Sequence, residues 1–119
     1  MKVLVLEPNK KPYAKEIEGY ANMKEIVGGW IEVVEPDHRD DDNVVVVCNE
    51  EGKLMGLPWN RPLLYNGRMF DMLCGTGFVT DCGDEDFIGL TDEQIEYYSK
   101  QYEHYVVDLN EYCEIKAVR

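Results

Sequence analysis

The sequence predicts an α+β protein, with a mostly antiparallel, curved sheet of five or six strands and two helices in one domain over residues 1–119. Three observations lead there. Short apolar, β-branched runs recur between turn residues, which is the pattern of strands. Two stretches carry helix start or stop signals. A chain of 119 residues with 45% hydrophobic side chains fits one ordinary core and leaves no room for two.

The run Lys2-Val3-Leu4-Val5-Leu6 reads as a strand. It has no polar alternation, so both its faces are expected to be covered. Pro8-Asn9-Lys10-Lys11-Pro12 turns the chain, and Tyr13 to Glu18 can return as an antiparallel partner. A short helix follows. Asn22 is its expected N-cap with Glu25 three residues on, and Gly28-Gly29 ends it. Trp30 to Val34 and Val44 to Cys48 are expected to pair as a hairpin across the charged segment Asp37 to Asp42. Asn49-Glu50-Glu51-Gly52 is expected to make a tight turn with positive φ at Gly52.

From Lys53 to Arg68 the pattern breaks down, because Pro58 and Pro62 interrupt any ladder or helix. Asn66-Gly67 is a further turn. Met69 to Asp81 reads as one long strand punctuated by Gly75 and Gly77. The second helix is predicted in most detail. Thr91 caps it, Gln94 completes a capping box, and Leu90 can staple to Ile95. Asp92 and Glu93 fall in the first turn, and Lys100 and His104 in the last, as the helix dipole favours. Ile95, Tyr98 and Tyr102 share one face, and Glu96 and Lys100 pair on another. The tail is expected to add a strand over Tyr112 to Val118 or to pack as an extended arm.

Charge bounds the partners. Asp and Glu total 24 against 12 Lys and Arg, a net charge of −12. Direct nucleic-acid binding needs concentrated Lys and Arg, and an anionic membrane surface also selects for them. Neither is expected. The apolar run at the N-terminus is too short for a signal-peptide core or a membrane span, so a cytoplasmic setting with reduced thiols is expected. Cys48, Cys74, Cys82 and Cys113 form no Cys-x-x-Cys pair. With two histidines and no ligand spacing, no metal site and no cofactor are expected. The acidic stretches Asp37 to Asp42 and Asp81 to Asp86 lack the pattern of a calcium loop and are expected to be solvated.

Three stretches carry a resemblance. They are Val27-Gly28-Gly29-Trp30-Ile31-Glu32-Val33-Val34, Val47 through Arg61 with its Gly56-Leu57-Pro58-Trp59-Asn60-Arg61 string, and Gly75-Thr76-Gly77-Phe78-Val79. Together with Leu90-Thr91-Asp92-Glu93-Gln94-Ile95 they resemble the family called domain of unknown function 3846, over Met1 to about Tyr102. The resemblance implies a small bacterial, phage or mobile-element protein. It implies no activity and no catalytic residues.

The candidate ligand-binding residues are Asn49, Glu50, Lys53, Trp59, Asn60 and Arg61. If the proline-rich loop folds back on the turn, these side chains converge. Arg61 would then grip an anion, the asparagines would read a polar ligand, and Trp59 would stack. The plainer reading is an ordered loop, with Asn60 bonding backbone and Arg61 paired to a surface carboxylate. Gly75-x-Gly77 lacks the third glycine and following helix of a dinucleotide fingerprint and suits a bulge or close backbone contact. A Cys–His pair would need contact with His38 or His104. The adjacent Tyr97 and Tyr98 cannot share one helix face, so one of them is available to an interface. The leading expectation is a non-catalytic binding or interaction protein that engages a host protein or a small polar ligand. An acidic DNA mimic or anti-defence protein and an unrecognised small-substrate enzyme are the alternatives, and a homodimer is compatible with each.

Overall fold

The computed structural model describes residues 1–109 and 112–117, with side chains as far as residue 107. Its elements run β1 (Lys2–Leu6), β2 (Tyr13–Glu16), α1 (Tyr20–Val27), β3 (Ile31–Val34), β4 (Val44–Asn49), β5 (Trp59–Tyr65), β6 (Arg68–Cys74), β7 (Gly77–Asp81), α2 (Asp92–Gln101), β8 (His104–Leu109) and β9 (Tyr112–Ala117). Five strands form the main sheet in the order β2-β1-β7-β4-β3. Two ribbons, β5-β6 and β8-β9, stand apart from it. Every pairing is antiparallel, so the protein is α+β as its sequence predicts.

The unbroken apolar runs have a structural reason. β1, β7 and β4 are the inner strands, and both faces of the sheet are covered. On one face Leu4, Leu6, Val46 and Val79 pack with Leu63 and Leu73 of the β5–β6 ribbon and Tyr98 and Tyr102 at α2. On the other face Val3, Val5, Val47 and Phe78 pack with Ile17 and with Met23 and Val27 of α1. Strand side chains alternate between faces. A strand with a core on each side must therefore be apolar throughout.

Helix α2 follows its sequence signals closely. Thr91 Oγ1 accepts from the Gln94 N–H, and the Gln94 side chain accepts from the Thr91 N–H. Leu90 and Ile95 pack in the same cluster, and Glu96 and Lys100 lie 3.7 Å apart. His104, placed by the sequence in the last helical turn, instead begins β8. The expected strand in the tail is β9, while residue 118 at its expected end lies outside the described residues.

Other expectations need correction. Helix α1 starts at Tyr20 with Gly19 as its cap, and Asn22 accepts from the Glu18 N–H from inside the first turn. Its C-terminal signal holds, since Gly28 takes φ 78°. Met69 to Asp81 is two strands in different sheets. The break comes at Gly75, also at φ 78°, where a β-carbon would lie 2.6 Å from a Leu57 methyl carbon. Gly77 does make a close backbone approach, as expected, facing the Val47 carbonyl. In the turn after β4 the left-handed glycine is Gly56 rather than Gly52.

The largest departure is β5. Pro62 lies inside a strand and pairs with Met72. The ribbon tolerates it because it has only two strands and its register shifts on both sides of the proline, between Trp59 and Arg61 and between Leu63 and Leu64. The second shift leaves Phe70 as an extra residue on β6. Asn66 and Gly67, both at positive φ, close the ribbon as a tight hairpin.

Candidate functional site

The six residues singled out by the sequence do not converge. Asn60 and Arg61 are 0% and 1% exposed, and they form an internal latch. The Asn60 amide donates to the Leu6 and Gly75 carbonyls, each at 2.8 Å. Arg61 donates from Nε to the Tyr102 carbonyl at 2.6 Å. From Nη1 it donates to the Glu7 carbonyl at 3.1 Å and to Asn60 Oδ1 at 2.6 Å, and from Nη2 to the Lys10 carbonyl at 2.5 Å. The Tyr105 ring lies 5.7 Å from the guanidinium carbon. Among the described residues no carboxylate pairs with Arg61, contrary to the surface ion pair that the plainer sequence reading expects.

The guanidinium fork suits this place, because its planar donors reach several carbonyls in fixed directions. It ties the β1–β2 turn and the end of α2 to β5. Burial pulls its pKa down to about 10, which leaves it charged at neutral pH. Trp59, next in the chain, is about half exposed and free to contact a partner.

Asn49, Glu50 and Lys53 lie elsewhere, around a cleft of about 310 Å³ between β3–β4 and β6. Asn49 organises the turn beside it. Its amide donates to the Val27 carbonyl, and its Oδ1 accepts from the Glu51 N–H. Lys53 reaches Asp71 across the cleft, while Glu50 and Glu32 remain exposed at its edge. Cys48, Leu63, Leu73 and Cys74 make an apolar floor.

The two thiols in that floor are poor nucleophiles. Burial, with Glu32 adding to it, pushes Cys48 up to about 11, and burial also raises Cys74. Lys53 pulls both thiols the other way, but burial outweighs it, so they lack the thiolate character of reactive cysteines. Cys48 contacts the Glu32 carbonyl and Cys74 the Met72 carbonyl. His38 contacts Glu35 and the Arg39 carbonyl, so the cysteines have no imidazole partner among the described residues.

A polar centre that sequence reasoning missed lies at Asp42. This residue closes an acidic segment expected to be solvated, yet it is buried. The Tyr98 hydroxyl donates to it at 2.7 Å, Gln94 at 3.0 Å and Arg39 at 3.0 Å. Burial alone would raise its pKa, but these three donors together hold it below the ordinary carboxylate value. Gln94 also donates to Asp81, so the capping residue of α2 ties the segment before β4 to the end of β7. Half-buried Asp37 is bonded as well, accepting from the Asn66 and Gly67 N–H groups of the β5–β6 turn. The one sequence hint was position, since Asp42 adjoins the most apolar strand.

Fold and site together define a small acidic α+β protein with an internal arginine latch and one mixed apolar and acidic cleft. Residues 1–103 match the family described as Domain of unknown function (DUF3846), and the chain belongs to that family. No curated protein and no solved structure matches the chain. No helix among the described residues is long and apolar enough to cross a membrane.

Proposed function

We propose that this chain is a non-catalytic interaction protein of an accessory or phage-type gene, which works in the cytoplasm by engaging a basic host protein. One observation carries this reading. The far end of the β5–β6 ribbon presents Leu64, Tyr65, Met69 and Phe70 to solvent, each at least 40% exposed. Leu64 pairs with Met69, and the register shift beside them turns Phe70 out as the extra residue. Apolar and aromatic side chains gathered on one exposed element mark protein interfaces. A net charge of −12 sets the sign of the surface such a patch would meet.

The protonated thiols favour binding over covalent catalysis. Of the six ligand-binding residues suggested by the sequence, Arg61 and Asn60 have their polar groups engaged internally, which favours a protein partner over a polar ligand at that loop. A DNA mimic needs its carboxylates outside, whereas Asp42 is buried and bonded within the molecule.

The test compares wild type with a Tyr65→Ser, Phe70→Ser variant in capture from host lysate, at low and high salt. A basic protein retained by wild type, weakened by salt and lost by the variant is expected. Identical captured sets for the two proteins would overturn the reading.

A further inference from the structure

The cleft between β3–β4 and β6 has its own chemistry. Its volume, about 310 Å³, is at the small end of ligand pockets. The floor is apolar, and its cysteines are uncharged at neutral pH. At the rim stand three carboxylates, on Glu32, Glu50 and Asp71, against the single ammonium of Lys53. Leu54, 88% exposed, extends the apolar wall outward at the mouth. An apolar channel ending in carboxylates complements an alkyl stem that carries a positive charge.

The molecule already contains such a group there. Lys53 lays its own ammonium on Asp71, from 18 residues away in the chain. This lysine is 61% exposed at its side chain, so the pair is held weakly against solvent and is exchangeable. We infer that the cleft is a binding site for a small primary alkylammonium ligand, its apolar tail on the floor and its ammonium among the rim carboxylates, and that Lys53 is an internal competitor that holds the cation position until the ligand arrives. The inference goes beyond the proposed protein contact and stands on the cleft's own residues.

The test uses the full chain and n-hexylammonium as probe, with n-hexanol and hexanoate as neutral and anionic controls. Binding is read from methyl resonances of Leu63 and Leu73. Wild type is expected to bind hexylammonium with a Kd in the low millimolar range, where weak single-group contacts fall. Lys53→Gln removes the competitor and should bind about 3-fold tighter or better, as expected for loss of one exposed ion pair. Glu32→Gln, at an exposed position where folding is not at stake, should bind about 3-fold weaker or worse on the same grounds.

No shift at Leu63 or Leu73 with the amine would overturn the site. Hexanol binding as well as hexylammonium would overturn the role of the carboxylates, and an unchanged Kd for Lys53→Gln would overturn the competitor. The probe needs no partner, so a cleft that binds the amine beside a failed lysate capture separates the loss of the partner from the loss of the site.

Discussion

Replacing Arg61 by methionine isolates the latch, because methionine keeps most of the apolar stem and removes every donor. Four acceptors lose their partner: the carbonyls of Tyr102, Glu7 and Lys10, and Asn60 Oδ1. Two of them, on Tyr102 and Asn60, are in fully buried bonds, whereas those on Glu7 and Lys10 are only partly buried and water can replace the donor. A buried acceptor left without a donor costs about 1–3 kcal/mol, which gives about 2–6 kcal/mol for the pair. Part of this is offset, because the variant no longer holds a charge away from water. The expected net loss is about 2–4 kcal/mol, a large fraction of the stability of a small domain. Equilibrium urea unfolding measures it, and the midpoint should fall by about 1–2 M at the slope usual for this size. Arg61→Lys should lie between the two, since a compact ammonium cannot span carbonyls that the planar fork reaches together. A methionine variant within about 0.5 kcal/mol of wild type, the range of an ordinary surface change, would refute the latch.

Gly75→Ala should lose about 2 kcal/mol or more in the same assay, because it forces a β-carbon at φ 78° against Leu57. Thr91→Ala should cost about 1 kcal/mol by removing the cap of α2, read as a lower urea midpoint with an unchanged slope. For Asp42 the folded pKa lies below the unfolded one, so the unfolded state binds more protons in acid and the carboxylate stabilises the fold above the unfolded value of about 4. That contribution disappears as the pH falls through the lower folded value. The stability gap between wild type and Asp42→Asn should therefore be widest at neutral pH and narrow steadily below about pH 4, measured by urea melts across that range.

Local signals were legible wherever the physics is local. The capping box at Thr91 and Gln94, the left-handed stop at Gly28 and the Asn66-Gly67 turn depend on a few neighbouring residues, and each is found where the sequence puts it. The apolar run of β1 also announced that both its faces are buried. Reading failed where a residue's role depends on distant chain. Pro62 looked like a strand breaker because the sequence does not show that β5 belongs to a two-stranded, irregular ribbon. Gln94 was legible as a cap but not as the donor that reaches Asp42 and Asp81.

The candidate loop shows the same division. Its composition drew attention to Asn60 and Arg61, but composition cannot say whether such residues face a ligand or the protein itself. Tertiary packing decided that, by bringing the carbonyls of Leu6, Glu7, Lys10 and Tyr102 around them. It also separated Asn49, Glu50 and Lys53 from the latch and set them around a cleft with β6. By itself the sequence determined the α+β class, the cap of α2, the glycine stop of α1, the Asn66-Gly67 turn and the sign of the net charge, because these follow from short-range geometry and from charge alone. Which polar groups are spent inside and which remain at a cleft was decided only by the fold, since hydrogen-bond partners more than 40 residues apart leave no mark on either segment taken alone.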